Sequence, residues 1–210
     1  MAGKKSILIV DGGHGIGPHL LSLLGERGFE AASWAAGDDE SDLARAAAVV
    51  FNFSALDEAT LLSRGGLAEA LDAEAAAFMQ ALQSAARAMI GRGDGQIWVL
   101  AADDSFAYYM PVPAAPISHH LRIGAMRALA KELARFGVFA NAAVLQPAAE
   151  TMPPDHWQQA RAGVGSYAQK FRPVALASVA DTLAFWLGSD SLPMNGSVIH
   201  FGNGVYDGNI

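Results

Sequence analysis

The stretch Lys5-Ser-Ile-Leu-Ile-Val-Asp-Gly-Gly-His-Gly-Ile-Gly17 decides how this chain folds. Its first half is a short continuous apolar run, which is typical of a strand buried in a parallel sheet. Glycines follow at once, and Ile16–Arg27 then has the pattern of a helix, with Pro18 in its first turn and Gly28 after its end. This order of strand, glycine turn and helix predicts an α/β protein.

The glycine turn could also carry chemistry. Glycines let the backbone approach a pyrophosphate closely, and the N-terminus of the helix offers amides and a partial positive charge. The residues predicted to hold a nucleotide in this way are Gly12, Gly13, His14, Gly15, Ile16 and Gly17. The alternative, which the turn itself leaves open, is a tight bend that binds nothing.

The composition narrows the class of protein. With 210 residues, 52% of them hydrophobic and 17% charged, the chain is predicted to form one globular domain over residues 1–210. Its net charge of −7 argues against nucleic-acid binding, and the lack of cysteine excludes disulfides and thiolate metal sites. Ser6–Val10 is too short for a signal peptide, and no run is long enough for a membrane helix. We therefore expect a cytoplasmic protein without a metal site.

The rest of the chain alternates between the two kinds of element. Further strands are predicted at Phe29–Trp34, Ala48–Phe53, Gln96–Ala101, Val138–Leu145 and Ser197–Phe201, and further helices at Leu67–Ile90, Ile117–Phe136 and Leu176–Leu187. Gly37–Asp42 is interpreted as a polar connection, and Met110–Pro116 as an irregular loop. The pattern predicts a single Rossmann-like doubly wound parallel sheet of about six to seven strands, with helices on both faces.

Motifs along the whole chain resemble those of the short-chain dehydrogenase/reductase family. The turn is similar to the family's Thr-Gly-x-x-x-Gly-x-Gly, with either Asp11 in the first glycine place or Gly12 in a turn one residue shorter. Asn52-Phe-Ser-Ala55 resembles the family's Asn-Asn-Ala-Gly. Later motifs are matched loosely by Leu129–Ala134, Val138–Pro147 and Asn195–Gly204.

The resemblance implies NADP or NAD as cofactor. It implies that Asn52 and Ser54 lie near the adenine and that Thr151 contacts the nicotinamide. The segment between Trp34 and Val49 is too short for the family's usual helix and third strand, which predicts a trimmed adenosine pocket. Only two acids follow the second predicted strand, and we interpret both as solvated loop residues: Asp38 and Asp39.

The family's catalytic residues are missing from this sequence. Ala102 takes the place of Ser, Ala115 that of Tyr and His119 that of Lys. No tyrosine of the chain has a lysine four residues later, so the Tyr-x-x-x-Lys pair is absent in every register. The candidates for a substitute proton donor are Tyr108, Tyr109 and His119, and the alternative is that they only line a loop and open a helix.

Three functions remain open at this point. The first is an atypical NAD(P)-dependent oxidoreductase acting on a small molecule. The second is a catalytically inactive subunit that pairs with an active relative. The third is a repurposed cyclase, isomerase or lyase, whose pocket would be lined by Tyr108, Tyr109, His119, Trp157 and Tyr167.

The two long helices are the predicted site of assembly. By the resemblance, Leu67–Ile90 and Ile117–Phe136 form a two-fold interface with a second copy or with a related reductase. The first helix is rich in alanine, which permits close helix–helix contact, and Ala81 is expected near the centre of the interface. The alternative is that alanine only reflects helix propensity.

Overall fold

The computed structural model describes residues 4–35, 37–103, 114–153, 155, 156, 158, 162 and 172–202. Its strands, named β1 to β6 in chain order, are Ser6–Val10, Glu30–Trp34, Ala48–Phe51, Gly95–Ala102, Val138–Leu145 and Val198–Phe201. They form one six-stranded sheet in the order β2-β1-β3-β4-β5-β6, and every pair is parallel. The predicted parallel α/β architecture is confirmed.

The helices that connect these strands pack on both faces of the sheet. They are named α1 to α6 and span Gly17–Glu26, Glu40–Arg45, Glu58–Arg64, Leu67–Arg92, Pro116–Leu133 and Leu176–Gly188. None of the described helices has the length and apolar character needed to cross a membrane.

The sheet is buried on both faces because successive side chains of a strand point to opposite sides. On β1, Leu8 packs into a cluster with residues of α2, α4 and α5. Its neighbours Ile7 and Ile9 pack into a second cluster with α1 and α6. A continuous apolar strand, as read from the sequence, is what this two-sided burial requires.

The boundaries of most predicted elements agree with the structure to within a few residues, and those of β5 agree at both ends. The predicted helix Ile117–Phe136 ends earlier as an α-helix, at Leu133, and Ala134–Phe136 continues as a 3-10 turn that Gly137 closes in the left-handed conformation.

The interpretation of Gly37–Asp42 as a polar connection is wrong in its second half. Helix α2 begins there, because the Asp39 carboxylate accepts the Ser41 N–H at 2.8 Å and caps the helix. The apolar side chain that fixes this short helix is Leu43, which is buried against the sheet.

The shortened segment after β2 does contain a helix, contrary to the expectation, but its described residues form no further strand. Only α2 lies between β2 and β3 in sequence, and β2 forms one edge of the sheet in the part of the chain that the structure describes. No strand lies beyond β2 there, where the family's third strand would be expected.

Helix α3, which the sequence analysis did not predict, determines where α5 begins. Its first residue, Glu58, is only 5% exposed. The Glu58 carboxylate accepts the N–H groups of Ile117 at 3.0 Å and Ser118 at 2.8 Å. Since these are amides of the first turn of α5, the carboxylate caps that helix from outside it.

The expectation that Ala81 lies at the centre of an outward face is wrong. Ala81, Ala85 and Ala86 are buried in the cluster beneath α4, and the alanines exposed on this helix are Ala68, Ala73, Ala76 and Ala77. Alanines occupy all sides of α4, so their positions alone could not show which side faces the sheet.

Candidate functional site

The glycine turn between β1 and α1 is held in place by one buried amide. The Asn52 side chain, which follows β3, donates from Nδ2 to the carbonyl oxygens of Asp11 at 3.0 Å and His14 at 2.8 Å. The turn is also closed internally by the Gly17 N–H, which donates to the His14 oxygen at 2.9 Å. A side chain two strands away in sequence therefore fixes the shape of the turn.

Two glycines of this turn are needed for close packing. A Cβ on Gly17 would lie 2.4 Å from the Gly12 carbonyl oxygen, and one on Gly12 would lie 3.0 Å from Ser33 Oγ. Asp11 adopts a φ of 54°, in the region that glycine favours. This conformation favours the alignment in which Asp11 takes the family's first glycine place.

Gly15 differs from these glycines because the space above it is open. Its φ is 56°, and no atom lies within 4 Å of the position that its Cβ would occupy. Gly15 and the buried Ile16 line a cavity of about 410 Å³. The turn therefore exposes backbone to the cavity, at the N-terminus of α1.

This first cavity lies at the carboxyl edge of the sheet. Its lining comes from the ends of β4 and β5, from the segments after β1, β3 and β5, and from the start of α5. In open α/β sheets, ligands bind at this edge. The polar or ionisable side chains of the lining are Asp103, His119, Gln146, Thr151 and His156.

All three positions that correspond to the family's catalytic residues line the first cavity. Ala102 is the last residue of β4, and the buried Ala115 directly precedes α5. His119 lies on the first turn of α5. The structure thus brings the three positions together, but two of them carry only a methyl group and can neither donate a proton nor orient a substrate oxygen.

His119 is held as a neutral imidazole. It is 5% exposed, its Nε2 accepts the Ser54 N–H at 3.2 Å, and its ring meets the edge of Phe53 with 6.0 Å between centroids. Burial, together with the positive charge of Arg122, lowers the pKa of His119 to about 4, although the Glu74 carboxylate acts in the opposite direction. Because Nε2 is the acceptor, the proton of the neutral ring lies on Nδ1.

A buried ion pair lies beneath His119. The Glu74 carboxylate accepts hydrogen bonds from Arg122, from Ser54 Oγ at 2.8 Å and from Ser118 Oγ at 2.6 Å. Arg122 also donates to the Asn52 carbonyl oxygen at 2.7 Å and lies 5.0 Å from the centre of the Phe78 ring. This network joins β3, α4 and α5 directly behind the glycine turn and keeps a positive charge close to His119.

Asn52 and Ser54, both predicted to contact a dinucleotide, are engaged by the protein itself. Asn52 supports the glycine turn, and Ser54 bonds Glu74 through its hydroxyl and His119 through its amide. Neither residue lines the first cavity. Their contact with a cofactor stays a prediction, whereas the structure shows their hydrogen bonds to the turn, to Glu74 and to His119.

Thr151 lines the first cavity, and its contact with the nicotinamide stays a prediction. The structure adds His156, which the sequence analysis missed, to the same lining. Its Nδ1 is buried and has no hydrogen-bond partner among the described residues. No spacing or motif marked this histidine, because the stretch that follows Thr151 matches no motif and His156 reaches the cavity only through the fold.

The two acids near the end of β2 have local roles. Asp38 Oδ2 accepts the Ala35 N–H at 2.7 Å, and Asp39 caps α2. The two hydrogen bonds from Ser41 lower the pKa of Asp39. These contacts are consistent with the interpretation of both acids as loop residues. Among the described residues at this end of β2, none then corresponds to the family's ribose-binding acid.

Several predicted pocket residues lie outside the described part of the chain. These are the two tyrosines proposed as substitute donors, Tyr108 and Tyr109, and two further aromatic residues, Trp157 and Tyr167. Within the residues that the structure describes, no cluster of three or more His, Asp or Glu side chains could hold a metal ion.

The parallel sheet, the glycine turn after its first strand and the cavity at its carboxyl edge define the class of Rossmann-like α/β proteins. No family model matches this sequence, and no curated protein is similar enough to be matched. Solved structures, in contrast, superimpose over nearly the full chain.

Several of the similar structures are dehydrogenases or reductases. An actinorhodin polyketide ketoreductase crystallised with NADPH has a TM-score of 0.66 and 18% identity, and the match covers 96% of this chain and 97% of that one. An acetoin dehydrogenase from Enterobacter cloacae has a TM-score of 0.67 and 18% identity, over 97% and 99% of the two chains. Sorbitol-6-phosphate 2-dehydrogenase from Erwinia amylovora has a TM-score of 0.68 and 16% identity, over 94% and 98%. These likenesses confirm the predicted fold.

Proposed function

We propose that this protein binds NADP or NAD along the carboxyl edge of its sheet and acts as an atypical oxidoreductase on a small molecule. The observation that carries the proposal is the open backbone of Gly15, which lines the first cavity at the N-terminus of α1. A pyrophosphate needs this combination of a side-chain-free approach and helix amides. The ketoreductase of the same fold was crystallised with NADPH.

The residues of the site fit the two halves of a dinucleotide unequally. Gly15 and Ile16 would hold the pyrophosphate, and Thr151 and its neighbours would surround the nicotinamide in the first cavity. At the adenosine end, β2 is an edge strand and the acids that follow it are used by the protein itself. The adenosine half is therefore held by fewer contacts than the family pattern implies.

The nicotinamide, when bound, supplies a hydride or accepts one. The chain's own task is to orient the substrate and to manage the proton, and here it departs from the family. Ala102 and Ala115 have no group for this, and the neutral His119 can only donate a hydrogen bond from Nδ1. His156 is a second imidazole of this cavity, and since no described residue bonds its Nδ1, it joins Tyr108 and Tyr109 as a candidate donor.

The proposal is tested by calorimetric titration of the purified protein with NADPH and with NADH. Gly15→Asp places a carboxylate in the open space over the turn, and we expect the dissociation constant to rise at least about tenfold. Gly28→Asp is the matched control, because Gly28 also has a positive φ and open surroundings but lies at the far end of α1. A wild-type protein that binds neither nucleotide, or equal affinities in the two variants, would overturn the proposal.

A second candidate function is supported by the same alanines. With methyl groups at two of the three catalytic positions, the chain could be an inactive subunit that pairs with an active relative. A turnover assay with a panel of ketones and excess NADPH separates the candidates. The inactive subunit gives the rate of the buffer blank, whereas an enzyme gives turnover that His156→Gln, Tyr109→Phe or His119→Ala reduces.

A further inference from the structure

A second cavity, of about 380 Å³, adjoins the first. The two cavities share Ala102, Asp103 and His119 in their linings. The rest of the second lining comes from α5, β4, β5 and the edge strand β6. The proposed function accounts for the first cavity and makes no use of the second.

The second cavity carries a group of basic side chains. His120 and Arg127 lie seven residues apart on α5, which is about two helical turns, so they share one side of the helix. His200 joins them from β6. Arg127 makes no ion pair or hydrogen bond with any residue that the structure describes, and its guanidinium is therefore available to a ligand.

Two histidines share this lining with the arginine. His120 Nδ1 lies 2.8 Å from the Pro116 carbonyl oxygen, which can only accept, so Nδ1 carries a proton. Nε2 can donate to an oxyanion only when both ring nitrogens are protonated. His200 is exposed on β6 opposite Val144. The Arg127 guanidinium is the group of this lining that recognises an oxyanion, because its planar fork binds two oxygens at once.

We propose that this second cavity binds a carboxylate or phosphate group of the substrate whose reacting part lies in the first cavity. This inference rests on the proposed function, because it names the class of substrate for the same site. The small Ala102 between the cavities lets one molecule extend from one to the other.

The test uses the full chain labelled with ¹⁵N. Sodium phosphate and sodium glutarate are titrated separately at constant ionic strength, and the amide shifts of Val198–Phe201 are followed. We expect saturable shifts with at least one of the two anions, and the anion that binds more tightly identifies the group recognised. Arg127→Gln should weaken that binding at least about fivefold. Arg135→Gln is the matched control, since Arg135 is exposed near the end of α5 and lines neither cavity.

Each alternative result has a defined meaning. The absence of saturable shifts, or an equal loss in the two arginine variants, would overturn the inference. Shifts confined to Gly12–Gly17 would also overturn it, because the anion would then bind the turn. NADPH titration of Arg127→Gln is measured in parallel. If the anions do not bind but NADPH binds the wild type and Arg127→Gln equally well, the inference fails and the proposed function stands. If NADPH does not bind the wild type, the proposed function itself fails.

Discussion

Gly15 and Gly17 lie two residues apart in the same turn and are needed for different physical reasons. Gly17 packs directly against the backbone of Gly12, so the turn has no room for a side chain there. Gly15 has free space above it but a left-handed backbone. A glycine-rich motif thus contains positions needed for the fold and positions available for a ligand, and the two kinds can be separated by substitution.

We predict that Gly17→Ala lowers the free energy of unfolding by about 2 kcal/mol or more. The new Cβ would lie 2.4 Å from the Gly12 oxygen, and backbone cannot move aside as a flexible side chain can. Urea denaturation followed by circular dichroism measures the change. Gly13→Ala is the control, because nothing lies within 4 Å of its Cβ position. Equal stability of the two variants would contradict the close contact between Gly12 and Gly17.

The buried His119 predicts how stability depends on pH. Its pKa in the folded protein is about 4, below the ordinary value of 6.5. Between these two pH values the ring is protonated in the unfolded chain but neutral in the folded protein. The contribution of the neutral His119 ring to the free energy of unfolding is fully present above about pH 6.5 and is lost as the pH falls toward 4. The loss can reach about 3 kcal/mol.

The measurement compares unfolding at pH 7 and pH 4.5. His119→Asn, which cannot titrate, should lose clearly less stability between these two values than the wild type does. His19→Gln, an exposed position on α1, should behave as the wild type. If His119→Asn retains the full pH dependence, the neutral buried state of His119 is wrong.

At the scale of elements, α5 depends on a residue from another helix. Ala115 precedes α5 and offers no capping side chain, and the Glu58 carboxylate from α3 takes this role. Since α5 carries His119, His120 and Arg127, the position of both cavities depends on this contact. A short helix without a chemical motif is in this way part of the site's framework.

We therefore predict that Glu58→Ala destabilises the protein by about 2 kcal/mol, because it leaves two amides of α5 without their acceptor. Thermal unfolding gives the size of the effect. Asp72→Ala removes an exposed carboxylate from α4 and should change little. A loss for Glu58→Ala no greater than that for Asp72→Ala would show that the cap contributes nothing.

At the scale of the whole molecule, α5 presents an apolar stripe to solvent. Ile117 is 51% exposed and Leu121 40%, and both lie on the same side of the helix as the exposed Gly124 and Ala128. Beside this stripe, α4 and α5 form a groove that includes the exposed Met79. We propose that this face is where the chain pairs with a second copy or with a related reductase.

For the homodimer, we predict that Ala128→Glu shifts the protein toward the monomer without a large change in its thermal stability. Two copies of the new charge would face each other across the two-fold axis and lose their solvation. Ala81→Glu should instead lower the stability, since Ala81 is buried against the sheet. Light scattering at micromolar concentration measures the oligomeric state, and thermal unfolding measures the stability of each variant. A monomeric wild type refutes the homodimer, and co-purification with a related reductase then tests the heteromer.

The location of the candidate site was predicted from the sequence in part. Order and spacing of motifs were enough to place Ala102, Ala115 and His119 in one region, because parallel strands end at one edge of the sheet. The protonation state of His119 could not be foreseen, since it depends on burial and on Arg122. His156 was missed because no local pattern distinguishes it from a surface histidine.

Local sequence determined the α/β class, the approximate positions of the strands and the glycine turn, because hydrophobic period and chain stiffness act over only a few residues. It also determined what the site lacks, since a missing Tyr-x-x-x-Lys is a property of the chain itself. Only the tertiary structure decided which side of α4 faces the sheet, that Glu58 caps α5, and that His120, Arg127 and His200 surround one cavity. These relations join residues far apart in the chain, and they depend on how the layers pack, which no short stretch of sequence encodes.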